Sequence, residues 1–206
     1  MRVLMINGSP HETGCTYTAL SEVAGVLAQE GVESEIIWLG TAPLQGCTSC
    51  RGCAETKRCI YDDIVNQIAD RCAETDGFIF GTPVHYAAAT GMITTFMDRI
   101  FFCTGRALAL KPAACVVSCR RSGTTATFDQ INKYFSICQM PIVSSQYWNA
   151  VHGHSPEEVR QDLEGMQTMR TLGRNMAWML KCIEAGKAAG VPRPHQEERA
   201  VTNFIR

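Results

Sequence analysis

Cys47, Cys50, Cys53 and Cys59 stand in the pattern C-x2-C-x2-C-x5-C, four thiols within thirteen residues. Thiolates spaced in this way can converge on one soft metal centre. Structural zinc usually takes two C-x2-C pairs across a long spacer. Three cysteines at consecutive x2 spacing follow instead the ferredoxin habit for a [4Fe–4S] cluster, whose run continues with x3 and a proline. Here the last gap is x5 and Ile60 follows. Cluster, zinc and four free thiols all stand as readings of the spacing.

A second stretch with chemical character opens the chain. The apolar run Val3-Leu4-Met5-Ile6 is followed by the polar turn Asn7-Gly8-Ser9-Pro10-His11-Glu12-Thr13-Gly14-Cys15-Thr16, and a helical pattern starts at Tyr17. A strand that feeds a helix through a glycine- and hydroxyl-rich turn gathers free backbone N–H groups at the positive end of the helix dipole, which favours an anion. The turn is neither a Walker loop, since no lysine follows Gly14, nor the dinucleotide fingerprint G-x-G-x-x-G. Many hydrogen-bond donors with little charge suit a phosphate monoester held as part of a cofactor better than a triphosphate with magnesium. The plain alternative is an ordinary strand-to-helix turn.

Two further loops have unusual composition. Gly81-Thr82-Pro83-Val84-His85-Tyr86-Ala87-Ala88-Ala89-Thr90-Gly91 is apolar and small, with one histidine and one tyrosine. Small residues let a flat group approach the backbone, and Tyr86 can pack on it. Cys119-Arg120-Arg121-Ser122-Gly123-Thr124 offers cations and a glycine for close approach. A phosphate cradle beside such a shelf fits FMN better than a sugar phosphate. The alternatives are a loop serving another ligand and, for Arg120 and Arg121, a solvated surface pair.

The elements that must position these loops alternate strand and helix five times. Expected strands are Val3–Ile6, Glu35–Leu39, Gly77–Gly81, Ala113–Ser118 and Pro141–Trp148. Expected helices are Tyr17–Glu30, one capped by Asp62 and Asp63, one capped by Thr90, Phe128–Cys138, and one from the Ser155-Pro156-Glu157-Glu158 start to about Ala185. Continuous apolar strands between helices predict a parallel sheet covered on both faces. The expected architecture is a doubly wound five-stranded α/β sheet of order 2-1-3-4-5, with the ligand at the switch point outside the carboxyl ends of strands one, three and four.

The 206 residues fit one domain, taken as 1–190 with the cysteine-rich loop at 41–60 and a tail at 191–206. A net charge of −1 gives no sign of a nucleic-acid partner, and no apolar run is long enough for a membrane span. The chain opens directly on a strand, so the expected location is the cytoplasm. The eleven cysteines are odd in number, which argues against a disulfide framework. Cys15, Cys72, Cys103, Cys115, Cys119, Cys138 and Cys182 read mostly as core, with Cys119 beside the proposed ring. His152 and His154 read as loop surface, and Met166, Met169, Met176 and Met179 as one packed helix face.

The segments GSPHETGCT, GTPVHYAAATGMITTFMDR and CRRSGTT resemble the three flavin loops of the NADPH-dependent FMN reductase family, which has a flavodoxin-like fold. The helix DLEGMQTMRTLGRNMAWMLK, the ending TNFIR and the four clustered cysteines resemble that family's iron–sulfur flavoprotein branch. The resemblance implies that Ser9, His11, Gly14, Cys15 and Thr16 hold the phosphate, and that Pro83, Val84, His85, Tyr86, Arg120, Arg121 and Gly123 line the ring. The family often has arginine or lysine at the position of His11 and asparagine at that of Cys15. The resemblance further implies an FMN-dependent oxidoreductase or electron-transfer flavoprotein. Its donor would be NAD(P)H or a reduced protein, and its acceptor a flavin, a quinone or a protein. A [4Fe–4S] cluster on Cys47, Cys50, Cys53 and Cys59 would pass single electrons to or from the flavin. A homodimer or homotetramer is implied as well. The competing function is a non-enzymatic thiol or metal redox sensor on the same scaffold.

Overall fold

The structure, a computed structural model, describes residues 1–198, 200–202 and 204. Of the ending TNFIR, Asn203, Ile205 and Arg206 lie outside the described residues. The elements in order are β1 (Arg2–Asn7), α1 (Cys15–Gln29), β2 (Glu33–Trp38), α2 (Cys53–Thr56), α3 (Ile64–Ala69), β3 (Gly77–His85), β4 (Ala88–Ala89), α4 (Gly91–Leu108), β5 (Ala113–Cys119), α5 (Thr124–Ile137), β6 (Ala150–His152), α6 (Pro156–Gln161) and α7 (Leu163–Ala188). Among the described residues no helix is long and apolar enough to cross a membrane.

The apolar strands run without alternation because both faces of the sheet are covered. Leu4, Ile6, Phe78, Phe80, Cys115 and Val117 point into one core with α3, α4 and α5. Val3, Met5, Ile79, Ala114 and Val116 point into the other with α1 and α7, where Met166, Met169 and Met176 are buried. The parallel order is β2-β1-β3-β5-β6, with β4 paired to β3 alone. Counting the parallel strands only, this is the 2-1-3-4-5 order expected, and the fold is flavodoxin-like α/β.

Several boundaries differ from expectation: α1 starts at Cys15 rather than Tyr17, α5 starts at Thr124 rather than Phe128, and three further differences change the architecture. The fifth parallel strand is Ala150–His152, not Pro141–Trp148. Residues 141–143 only bridge to Ala113, through Ala113 N–H to the Pro141 carbonyl and Val143 N–H to the Ala113 carbonyl. The chain then detours, because the Ser145 hydroxyl sits between the Tyr147 carbonyl and Asn149 Oδ1, within hydrogen-bond distance of both, while the buried Asn149 amide returns to the Val143 carbonyl. The last helix is two helices. Asp162 takes a non-helical ψ of 79°, and its carboxylate accepts Gly165 N–H at 2.9 Å and His152 N–H at 2.7 Å. It therefore ends α6, caps α7 and ties both to β6. Finally, Asp63 alone caps α3, accepting Val65 N–H, while Asp62 turns to Arg58 and Asn66.

Candidate functional site

The turn after β1 is fixed from several sides. Asn7 Oδ1 accepts Ser9 N–H at 3.1 Å and its Nδ2 donates to the Glu12 carbonyl at 3.0 Å. Trp38 Nε1 donates to the Ser9 carbonyl at 2.8 Å, and Thr90 Oγ1 to the Gly8 carbonyl at 2.8 Å. Gly8 has no room for a side chain, since a Cβ there would lie 2.6 Å from Ile93 Cβ. α1 then starts behind Gly14, which makes no side-chain cap. The first amides of the helix are thus open donors at its positive end. Ser9 Oγ accepts His11 N–H at 3.1 Å, which leaves its own proton free to donate, and His11 is exposed.

Two residues of the turn face elsewhere with their side chains. Thr16 is fully buried, and its hydroxyl shares a 2.8 Å hydrogen bond with that of Ser118. What Thr16 offers the turn is its main-chain N–H. Cys15 points its thiol toward the Gly153 carbonyl at 3.7 Å, and burial pushes that thiol above its ordinary pKa. The two contacts tie the start of α1 to β5 and to the residue just past β6.

The second loop is shorter than it reads. β3 continues through Pro83, Val84 and His85 and folds back on β4 in a hairpin with Tyr86 and Ala87 at its tip. Both tip residues are left-handed, at φ 51° and 59°. Asn-Gly is the usual occupant of such a turn, and L-residues in it cost about 1–2 kcal/mol each. The hairpin is held by Gln130 Oε1, which accepts Ala89 N–H at 2.9 Å. It also rests on Gly123, at φ 91°, where a Cβ would come within 2.9 Å of Ala87 Cα and Val84 Cγ1. Pro83 and Val84 are half-buried, while His85, Tyr86, Arg120 and Arg121 are exposed and Cys119 is buried. The three loops therefore meet at the carboxyl edge of β1, β3 and β5.

The four clustered cysteines line a separate open pocket, together with Arg99, Ile60, Phe102 and Cys103. Cys47 and Cys50 are exposed, and Cys53 and Cys59 half-buried. Ser49, Arg51 and Lys57, each lying between two of these cysteines, are left-handed at φ 55°, 61° and 57°. Strain of this kind persists where the surroundings over-determine it, and it gathers at functional sites. The loop is pinned by two side chains. Asn66 grips the Cys59 backbone, accepting its N–H at 2.7 Å and donating to its carbonyl at 3.0 Å.

Arg99 of α4 has a fully buried side chain and spends all five N–H groups on this loop. It donates to Asp63 at 2.6 and 3.0 Å, to the Gln45 and Tyr61 carbonyls, and through Nε to Cys59 Sγ at 3.2 Å. Cys103 lies against Cys53, and burial, with Cys53 adding, pushes its thiol up to about 12. Among the described residues no three His, Cys, Asp or Glu side chains stand close enough to share a single metal ion.

The motifs give no role to Asn7, Trp38, Ser118 or Arg99; they give Thr90 as a helix cap and Cys103 as core. Asn7 had a signal, a polar residue ending an apolar strand, where an Asx turn is favoured. Arg99 had another, a charge among the inward-spaced Phe96, Met97 and Ile100.

The family model described as NADPH-dependent FMN reductase matches residues 1–155. An iron–sulfur flavoprotein of Methanocaldococcus jannaschii is 32% identical over 192 residues, covering 89% of this chain and 100% of that protein. An iron–sulfur flavoprotein of Methanosarcina thermophila is 22% identical, covering 91% and 99%. Among solved structures, one described as a flavodoxin from the domain Archaea superposes with a TM-score of 0.60 at 14% identity, over 88% of this chain and 99% of that one. One described as a flavone reductase superposes with a TM-score of 0.67 at 22% identity, over 89% and 64%. At such identities the structural likeness speaks for the fold.

Proposed function

The chain belongs to the NADPH-dependent FMN reductase family, and on that footing we propose that it is an FMN-dependent oxidoreductase that also carries a [4Fe–4S] cluster. The observation that carries the flavin half is the immobilised turn in front of the uncapped α1. In this reading Ser9, His11 and the amides of Gly14, Cys15 and Thr16 hold the FMN phosphate. Pro83, Val84, His85 and Tyr86 would line the ring, together with Cys119, Arg120, Arg121 and Gly123. FMN, when bound, supplies the hydride and single-electron chemistry, and the protein supplies position and electrostatics. No side chain is assigned as a catalytic acid or base. Residues 1–190 act as one FMN-binding domain, and 191–206 as a tail.

The cysteine pocket fits a cluster. A tetrahedral zinc ion needs sulfurs about 3.8 Å apart, given its bonds of roughly 2.3 Å. A cluster brings its own iron and sulfide, and so suits thiols spread around one cavity. The relatives named iron–sulfur flavoprotein, which this chain matches almost end to end, support the same choice. Cys47, Cys50, Cys53 and Cys59 would be the ligands, with Arg99 donating to the Cys59 sulfur. NAD(P)H or a reduced protein is the proposed donor, and a flavin, a quinone or a protein the acceptor.

Anaerobically purified protein should release FMN on denaturation, contain iron and sulfide but no zinc, and oxidise NAD(P)H in steady turnover with ferricyanide. Stoichiometric thiol oxidation without turnover would favour the redox-sensor reading instead. Gly123→Ala should weaken FMN binding by at least about tenfold, because the forbidden φ and the Ala87 backbone force the hairpin away. Fluorescence titration of FMN measures this, and unchanged affinity would remove the hairpin from the ring site.

A further inference from the structure

Cys103 belongs to the cysteine pocket although it lies 44 residues beyond Cys59 in the chain. It follows Arg99 by four positions on α4, so the two share one helix face. That face forms the inner wall of the pocket. Arg99 occupies the wall behind Cys59, with Nε on its sulfur. Cys103 lines the same pocket as Cys53. Its residue is only 4% exposed, yet its side chain lines the cavity.

The two thiols at that corner differ in how firmly they are held. Cys53 begins the single-turn α2, between the left-handed Arg51 and Lys57. Cys103 stands on an 18-residue helix anchored in the core by Phe96, Met97 and Ile100. An iron atom bonded to Cys53 would then have a second thiol in the same pocket, on a rigid support. Cys47 and Cys50 line the pocket from the exposed loop, and at Cys59 the helix presents a guanidinium instead of a thiol. The duplication is therefore confined to one corner.

We propose that Cys103 is a fifth thiol of the centre, able to take over the iron corner that Cys53 holds. In the exchange the Cys103 sulfur releases its proton to solvent and bonds the iron. The Cys53 sulfur leaves that iron and takes up a proton. No electron moves, and the charge of the ligated cluster is unchanged. The inference rests on the cluster reading above.

Alanine variants test it, because alanine offers no substitute ligand. Wild type, Cys47→Ala, Cys53→Ala, Cys103→Ala and the Cys53→Ala/Cys103→Ala double variant would be reconstituted anaerobically with iron and sulfide. The readouts are iron and sulfide per chain and the low-temperature EPR spectrum after reduction. FMN content serves as the folding control. Cys53→Ala should keep most of the wild-type iron with a shifted EPR spectrum, and Cys103→Ala should match wild type. Cys47→Ala and the double variant should fall at least about tenfold in iron, as expected for loss of an irreplaceable ligand. Iron in Cys53→Ala as low as in Cys47→Ala, or a double variant that keeps its iron, overturns the proposal while leaving the cluster reading intact. A wild type that takes up no iron overturns the cluster reading, and this inference with it.

Discussion

Cys50→Ser should strip the iron from the protein and leave its flavin in place. Cys50 is exposed, and its loop is fastened by Arg99 and Asn66 rather than by Cys50 itself. A serine hydroxyl stays protonated near neutral pH and ligates iron poorly, and Cys50 has no thiol behind it on α4 to stand in. The three loops proposed to hold FMN are fastened by Thr90 to the Gly8 carbonyl, by Thr16 to Ser118 and by Gln130 to Ala89, and none of these contacts involves the cysteine loop. Iron should therefore drop at least about tenfold while FMN per chain stays at the wild-type level. The measurement is iron and flavin content on the same anaerobic sample. Loss of FMN alongside iron would mean that the loop is a structural support of the flavin site.

Arg99→Met should be the most destabilising single change of those considered. The guanidinium is fully buried, and its removal leaves the Asp63 carboxylate and the Gln45 and Tyr61 carbonyls without their donor. Breaking a buried pair from one side costs about 3–5 kcal/mol. Asp63 keeps 30% of its side chain in solvent, which places the expected loss at about 3 kcal/mol. Urea unfolding followed by far-UV circular dichroism gives the value. Asp63→Asn should cost less, since the guanidinium keeps its two carbonyls and the Cys59 sulfur. A loss for Arg99→Met within about 0.5 kcal/mol, as at an ordinary surface site, would show that the loop is held by other contacts.

The sheet order was legible because strands covered on both faces are written as unbroken apolar runs, and VLMI, FIF and ACVV are such runs. The last strand was not. PIVSSQYW carries apolar and aromatic residues at strand spacing, yet Tyr147 and Trp148 are 57% and 48% exposed, on a detour held by Ser145 and Asn149. The three residues that do pair, Ala150–His152, are too short a segment to stand out. The break at Asp162 was hidden for a similar reason, since an aspartate on a helix surface looks the same whether it is solvated or capping the next helix.

The candidate site was legible where its proposed chemistry is local. The turn after β1 declares itself by glycines and hydroxyls, and the cysteine loop by its spacing. The hairpin did not, because Tyr86-Ala87 lacks the residues that a tight turn of two left-handed positions favours, and Gly123, far along the chain, is what makes room for it. Arg99 and Cys103 were hidden inside a helix that reads simply as amphipathic. Their purpose depends on a loop some forty residues earlier, a relation that no local pattern encodes.

The central claim is that the turn between β1 and α1 grips the terminal phosphate of a flavin mononucleotide. Titration of flavin-free protein with FMN and, in parallel, with riboflavin, which lacks the phosphate, isolates that contact. Charge-assisted hydrogen bonds and the helix dipole together are worth about 3 kcal/mol, so FMN should bind at least about a hundredfold more tightly. Equal affinity for the two, or no binding of FMN at all, would contradict the claim.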